Sequence, residues 1–329
     1  MELKRTIKAL ARIGLNIIYK HNLTHCPYLY DSVFINSNGD VYICCHWYPG
    51  VIGNIYKNTL EEIWENSEKL RQYRFWSKNK GLFCFFRCNI LTNTQKQKAP
   101  NNPKPLPYPR RVWLLMSEFC NINCIMCGLN KNSKVFLDNE TLKKNIDWRK
   151  VDEIEFQGGE ILAMKSAKEM YLWLTQELNK KVNLITNGIL ISSKWAEYLV
   201  AGADWVQISV NAASKETHEK VNVGSNFDKV FENIKKLTEL KLQTNSKIKI
   251  IYKFSIVPEN IHEIADSLDK AEALGCDEIM FGYDYSVIDL LKKDPMLKLN
   301  IRNQVTKRIN KSSKVIIETF RLKNLNLYN

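Results

Sequence analysis

Six short apolar runs alternate with longer amphipathic stretches from residue 111 onward, and this alternation sets the fold. The runs are VWLLMS (112–117), DEIEFQ (152–157), VNLIT (182–186), WVQISV (205–210), KIKIIYKFSIV (247–257) and DEIMFGY (277–283). Stretches with helical periodicity lie between them, such as FDKVFENIKKLTEL (227–240). Strands that alternate with helices form a parallel sheet with helices outside. The segment is therefore predicted to be α/β, either a doubly wound sheet or a TIM-like partial (β/α)6 barrel.

Three cysteines follow the first apolar run within the sequence CNINCIMCG, namely Cys120, Cys124 and Cys127. A closed structural metal site takes four protein ligands, so three thiolates in one loop leave a coordination position for something other than protein. An open metal position usually marks a site of chemistry. A zinc site and three ordinary buried thiols are the other interpretations of this spacing.

Glycine and polar residues stand at the ends of the following runs. They are Gly158, Gly159 and Glu160 after the second run, Asn187 after the third, Ser209 and Asn211 at the fourth, and Val257 at the fifth. Plain turns would account for some of them. Because the carboxyl ends of parallel strands meet at one edge, these residues and the cysteine loop are expected to share a site, which favours the barrel.

The spacing CxxxCxxC, followed one strand later by Gly-Gly-Glu, resembles the radical S-adenosylmethionine (SAM) enzymes. The resemblance implies a [4Fe-4S] cluster on Cys120, Cys124 and Cys127, with SAM bound at the open iron. It also implies SAM contacts for other residues. They are Gly158, Gly159 and Glu160 at the SAM amino group, Met126 and Val257 near adenine, Asn187 lining the pocket, and Ser209 and Asn211 at the ribose or carboxylate.

The activity implied by the resemblance is reductive cleavage of SAM to a 5′-deoxyadenosyl radical. This radical then abstracts hydrogen from a peptide or carbohydrate-type substrate, as in dehydrogenation, epimerisation or crosslinking, which is oxidoreductase-like chemistry. A flavodoxin or ferredoxin would supply the electron. The alternative is a non-catalytic iron-sulfur protein for electron transfer or scaffolding, but such a carrier needs no SAM pocket.

The N-terminal part contains Cys26, Cys44, Cys84 and Cys88, enough thiolates for one closed site. The segment SVFINSNGDVYICC (32–45) is predicted to form a hairpin that turns at Asn38 and Gly39, and Thr59 and Glu62 are spaced as a helix capping box. This part resembles the SPASM or twitch domains, which implies an auxiliary [4Fe-4S] cluster. Zinc is the rival metal, and Cys45 is the alternative to Cys44.

Five of the nine prolines lie within residues 94–110, which indicates a linker. The predicted organisation is therefore a small α+β SPASM/twitch-like module with an N-terminal helix (1–93), the linker (94–110), the radical SAM partial barrel (111–290) and a basic, helical C-terminal tail (291–329).

The formal net charge of +13 is concentrated in that tail, where residues 292–329 hold ten Lys or Arg and two Asp or Glu. A basic groove for nucleic acid is therefore not expected. The sequence shows no membrane span and no signal peptide, so the cytoplasm is the expected compartment. The first twenty residues form a basic amphipathic pattern, for which packing against the protein is favoured over contact with a membrane surface.

Overall fold

The computed structural model describes residues 26–45, 50–80, 104–311 and 313–328, with the side chains of 76–80 excepted. The chain divides into two compact units. The first comprises Met1–Leu115 and Leu137–Ile154, and the second comprises Met116–Phe136 and Glu155–Asn329. The predicted N-terminal helix, Cys84, Cys88 and residues 94–103 of the predicted linker lie outside the described residues.

The first unit combines short helices with a small mixed sheet. Its described elements are α1 (Tyr28–Asp31), β1 (Ser32–Ile35), β2 (Asp40–Tyr42), β3 (Gly53–Asn54), α2 (Leu60–Asn66), α3 (Glu68–Lys80), β4 (Arg111–Leu115) and α4 (Asn139–Asn145). The sheet order is β4-β1-β2-β3, in which β1 runs parallel to β4 and antiparallel to β2.

Two local predictions in this unit are confirmed. Strands β1 and β2 form the hairpin, and Gly39 takes a φ of +83° at its turn, a conformation that glycine adopts without steric cost. At the start of α2, the Thr59 side chain accepts a hydrogen bond from Glu62 N, and Glu62 accepts one from Thr59 N. Both ends of the capping box are therefore present.

The second unit is α/β. Its elements are β5 (Asn123–Cys124), β6 (Glu153–Gln157, of which the last three residues belong here), α5 (Lys165–Leu172), β7 (Val182–Thr186), α6 (Ser193–Gly202), β8 (Trp205–Ser209), α7 (Lys215–Val221), β9 (Asn222–Val223), α8 (Phe227–Gln243), β10 (Lys249–Ile256), α9 (Ile264–Ala273), β11 (Glu278–Tyr283), α10 (Tyr285–Lys293), α11 (Pro295–Ile309), β12 (Ile316–Ile317) and α12 (Phe320–Asn324).

The main sheet of this unit has the strand order β6-β7-β8-β10-β11-β12. Strands β7, β8, β10, β11 and β12 pair in parallel. All six predicted apolar runs form strands, and the parallel α/β fold is confirmed. The carboxyl ends of β7, β8, β10, β11 and β12 therefore fall along one edge of the sheet.

The strands bury alternate residues, so the sheet has two different faces. In β8 and β11, Val206, Ile208, Ile279 and Phe281 are at most 1% exposed, and the residues between them are half-buried. We call the half-buried side the polar face. It carries Glu155 and Gln157 of β6, Gln207 and Ser209 of β8, Lys253 and Ser255 of β10, Met280 and Gly282 of β11, and Glu318 after β12.

The C-terminal segment differs from the predicted helical tail. It contains the helix α11 and, after it, the strand β12, which extends the sheet beside β11. The nearly buried Arg308 of α11 is paired with Asp269 and Glu272. The segment is therefore part of the second unit. The boundaries predicted at residues 93, 110 and 290 stay predictions, since the compact units divide the chain at other points.

No helix among the described residues is long and apolar enough to cross a membrane.

Candidate functional site

The loop of three cysteines is held at both ends by hydrogen bonds to Lys131. Cys120 N donates to Lys131 O at 3.1 Å, and Lys131 Nζ donates back to the carbonyl oxygens of Cys127 and Leu129, each at 3.1 Å. In the middle of the loop, Cys124 lies in β5 and pairs antiparallel with Asn222 of β9. These contacts fix the backbone positions from which all three sulfur atoms project.

The three thiols influence one another electrostatically. Burial raises the pKa of Cys120, and burial together with the neighbouring Cys127 and Cys120 raises the pKa of Cys124 to about 12. Lys131 acts in the opposite direction on both cysteines. Free Cys120 and Cys124 therefore favour the neutral thiol, and binding of iron has to release their protons.

Among the described residues, no group of three or more His, Cys, Asp or Glu side chains is placed to hold a single metal ion. A four-iron cluster takes each thiolate on a different iron, so its ligands are spaced more widely than those of one ion. Three mutually close thiols beside one lysine fit such a cluster, and Cys120, Cys124 and Cys127 would hold it.

The two glycines after β6 pack directly against the cysteine loop. Gly159 N donates to Ser117 O at 2.9 Å, and Glu160 N donates to Phe119 O at 2.8 Å. A Cβ on Gly159 would overlap the carbonyl oxygen of Phe119, and one on Gly158, where φ is +148°, would overlap that of Ser117. Both glycines thus let the backbone next to Cys120 approach closely, and their contact with SAM stays a prediction.

Glu160 is fully buried and its carboxylate organises the end of β7. It accepts hydrogen bonds from Leu162 N (3.0 Å), Thr186 Oγ1 (2.7 Å) and Asn187 N (2.7 Å). Burial raises the pKa of Glu160, and these three donors oppose the rise. Glu160 also raises the pKa of Cys120, so its carboxylate lies near the cysteine loop.

Asn187 joins the same network from its side chain. Its Nδ2 donates to Asn121 Oδ1, between Cys120 and Cys124, at 2.8 Å. Its Oδ1 accepts from Ile189 N at 3.1 Å. The structure thus brings Gly159, Glu160 and Asn187 together around the first cysteine.

A second network connects the other predicted SAM residues to Cys124. Asn211, which has a φ of +59°, donates from Nδ2 to Asn222 Oδ1 at 2.9 Å and accepts at Oδ1 from Ser255 N at 2.7 Å. Asn260 donates to Asn211 O and accepts from Val257 N, both at 2.8 Å. Asn211 and Val257 are therefore linked through Asn222 to the strand of Cys124, and both Asn211 side-chain atoms already have protein partners.

Two predicted residues stand apart from these networks. Ser209 is half-buried on the polar face, opposite Lys253 in the adjacent strand. Met126 is half-buried within the cysteine loop. Roles for both in SAM binding stay predictions.

Sequence reasoning missed Lys131 and the β5–β9 ladder. Strands of two residues give no periodicity that a pattern could reveal. The only available signal for Lys131 was a positive charge four residues after Cys127.

In the first unit, three cysteines gather around Tyr28. Cys26 and Cys44 are each 4% exposed, and Cys45 is exposed. Burial raises the pKa of the Tyr28 hydroxyl, Arg111 lowers it, and all three cysteines raise it further. Cys26 and Cys44, two of the four predicted auxiliary ligands, thus come together, with Cys45 in reach of the same group.

Comparison with known proteins identifies both domains. Residues 114–271 match the family model of the radical SAM superfamily, and residues 26–89 match that of the SPASM iron-sulfur cluster-binding domain. The chain is therefore a member of the radical SAM superfamily with a SPASM domain on its N-terminal side. Its cofactors are [4Fe-4S] clusters and SAM.

Among curated proteins, this chain is similar to a probable GTP 3′,8-cyclase of Saccharolobus islandicus. The two are 25% identical over 174 residues, which cover 50% of this chain and 54% of that protein. A probable GTP 3′,8-cyclase of Methanococcus maripaludis is 30% identical over 141 residues, 40% of this chain and 47% of that protein. The chain thus spans about half the length of the curated relatives it matches.

Among solved structures, Streptococcus suis SuiB bound to S-adenosylmethionine superposes with a TM-score of 0.50 at 14% identity. The alignment covers 78% of this chain and 56% of that chain. At this identity the likeness shows the fold alone, and it confirms the predicted fold class.

Proposed function

We propose that this chain is an enzyme that cleaves SAM reductively and removes a hydrogen atom from a peptide or carbohydrate-type substrate. The observation that carries the proposal is the cysteine loop, with three mutually close thiols and a backbone locked to Gly159 and Glu160. A flavodoxin or ferredoxin in the cytoplasm is the proposed electron source.

A cluster held by Cys120, Cys124 and Cys127, with SAM bound to it, would supply one-electron reductive cleavage of SAM coupled to removal of a hydrogen atom from the substrate, with methionine and 5′-deoxyadenosine as products. The protein's part is to bind and to orient. Lys131 holds the loop and places a positive charge beside thiolates that burial would otherwise keep protonated. Glu160 and Asn187 fix the end of β7 against the loop, and the polar face of the sheet offers half-buried polar groups to a substrate.

The proposed outcome is oxidoreductase-like, as in dehydrogenation, epimerisation or crosslinking. The relatives named as cyclases make a redox-neutral rearrangement the alternative outcome. A purely electron-transferring protein is less well supported, because such a protein needs no locked Gly-Gly-Glu turn beside an open cluster.

The test is anaerobic reconstitution, followed by addition of dithionite and SAM and measurement of 5′-deoxyadenosine. Cys124→Ala should abolish its formation, because the cluster loses a ligand. Cys276→Ala is the matched control, since Cys276 is a buried core thiol (5% exposed) outside the loop, and it should retain activity. No 5′-deoxyadenosine from the fully loaded wild type, or unchanged activity in Cys124→Ala, would contradict the proposal.

A further inference from the structure

Lys253 is a cation in the middle of the sheet. It lies in β10 between Ser209 of β8 and Met280 of β11, on the polar face. A Cβ on Gly282 would lie 3.4 Å from Lys253 Nζ, so the absence of a side chain at Gly282 leaves space beside the ammonium. Among the described residues, no carboxylate oxygen lies within 4 Å of this ammonium.

Arg321 adds a second cation to the same region. It projects from α12, with its guanidinium carbon 5.8 Å from the centre of the Tyr283 ring. Burial and, to a smaller extent, Arg321 together lower the pKa of Lys253 to about 8, and Glu318 acts in the opposite direction. Arg321 likewise makes no ion pair with a described residue. Two cations therefore share the region with Glu318 and with Glu278, which lies two positions before Met280 on the same face.

A half-buried ammonium that has no ion-pair partner pays part of the cost of leaving water, unless an anion completes its environment. The depressed pKa of Lys253 expresses that cost. Structural lysines avoid it by reaching solvent or a carboxylate, as Lys241 does with Asp277. The surroundings of Lys253 are thus better suited to a bound anion than to an empty site.

Lys253 lies beside residues that were predicted to contact SAM. It is opposite Ser209, and its carbonyl oxygen accepts hydrogen bonds from Val210 N at 3.0 Å and from Asn211 N at 3.2 Å. Along the sheet, β10 is three strands away from β6, whose end carries the Gly-Gly-Glu turn. The carboxylate of SAM is therefore the anion that the test has to distinguish from an anionic group of the substrate.

We propose that Lys253 and Arg321 form a binding subsite for an anionic group of the substrate, a carboxylate or a phosphate, on the polar face of the sheet. The assignment to the substrate rests on the proposed function, but the anion site itself does not. Arg321 offers a planar fork of donors and Lys253 a point charge, a combination that suits either kind of oxyanion.

The test is isothermal titration of the reconstituted, unreduced full-length protein with two probes, inorganic triphosphate and N-acetylglutamate. The better-bound probe identifies the source of the oxyanion as phosphate or carboxylate. Lys253→Met and Arg321→Met should each weaken that probe at least tenfold. Lys249→Met, an exposed lysine of the same strand, and Lys323→Met, an exposed lysine of the same helix, are the matched controls and should change it less than twofold.

Titration with SAM distinguishes a subsite for the substrate from a contact with the carboxylate of SAM. SAM also carries a carboxylate, so a loss of SAM affinity in Lys253→Met with unchanged probe binding would assign the cations to SAM and overturn the proposal. Equal probe binding by wild type and both variants would overturn it as well. These titrations contain no reductant, so their results do not depend on whether the protein cleaves SAM. The proposed SAM-cleaving activity and the proposed anion subsite can therefore be refuted separately. Unchanged iron content in the variants shows that they are folded.

Discussion

At the scale of single residues, two glycines beside the cysteine loop differ in whether a side chain would fit at their positions. Gly159 meets the backbone of Phe119 where a Cβ would have to sit, whereas Gly128, directly after Cys127, has nothing within 4 Å of that position. Each glycine belongs to a sequence motif, Gly128 to the cysteine loop and Gly159 to Gly-Gly-Glu, yet only the structure distinguishes a glycine required by packing from one that merely ends the loop.

We expect Gly159→Ala to displace the loop, because the clash is with backbone and not with a flexible side chain. Overpacking of this kind costs about 1–3 kcal/mol in the free energy of unfolding. Iron bound per chain after reconstitution should fall, together with 5′-deoxyadenosine formation. Gly128→Ala is the control and should match wild type in both. Normal iron content in Gly159→Ala would mean that the contact with Phe119 does not position the loop.

Lys253 predicts a pH dependence of anion binding. Its pKa is lowered to about 8, so its charge is present below that pH and is lost as the pH rises through it. The charged groups near it are Arg321 and Glu318, with Glu278 two positions before Met280 on the same face. Triphosphate should bind about tenfold more weakly at pH 9 than at pH 7.

Lys253→Arg provides the control for that prediction, because an arginine stays charged throughout the range. Its affinity for triphosphate, measured by the same titration, should lose the dependence between pH 7 and pH 9. An equal decline in the arginine variant would assign the titration to another group.

At the scale of elements, the strands of the second unit could be predicted because each is a run of apolar residues long enough to show its period. The two-residue strands β5, β9 and β12 could not, since their formation depends on partners distant in sequence. The cysteine loop was predicted from spacing alone. The sequence shows Lys253 as a charge inside KIKIIYKFSIV, but only the structure shows that it lies on the polar face of the sheet.

The ion pairs of Arg308 allow a prediction of how much the helix α11 contributes to stability. Arg308 is 6% exposed and is paired with Asp269 and, at 2.5 Å, with Glu272 of the preceding α9 region. Arg308→Met removes both pairs, but the two carboxylates retain access to water. We therefore expect a loss of about 1–3 kcal/mol in the free energy of unfolding, less than for a fully buried pair.

Urea denaturation measures this change, and Lys307→Met is the matched control because Lys307 is an exposed neighbour on the same helix. If the two variants had the same midpoint, α11 would be held by its apolar contacts alone. Arg321 follows on the same C-terminal segment, so a loosened α11 should also weaken triphosphate binding.

At the scale of the whole molecule, the cysteines form two groups with different tasks. One loop of three leaves a position for SAM, and the N-terminal group, if Cys84 and Cys88 join Cys26 and Cys44, is closed by protein. A cluster with four protein thiolates has no iron free for a ligand and is suited to electron transfer. Because the two groups lie in different compact units, their metal loading should be separable.

We expect the reconstituted protein to bind about eight iron atoms per chain, as two four-iron clusters require. Cys26→Ala should lose about four of them and still cleave SAM when dithionite supplies the electron, whereas Cys124→Ala should lose the other four and all cleavage. Iron and sulfide analysis measures both. Comparing Cys44→Ala with Cys45→Ala then identifies the ligand: the buried Cys44 should cost four irons and the exposed Cys45 none. Four irons with one zinc in the wild type would refute the auxiliary cluster and leave the SAM site standing.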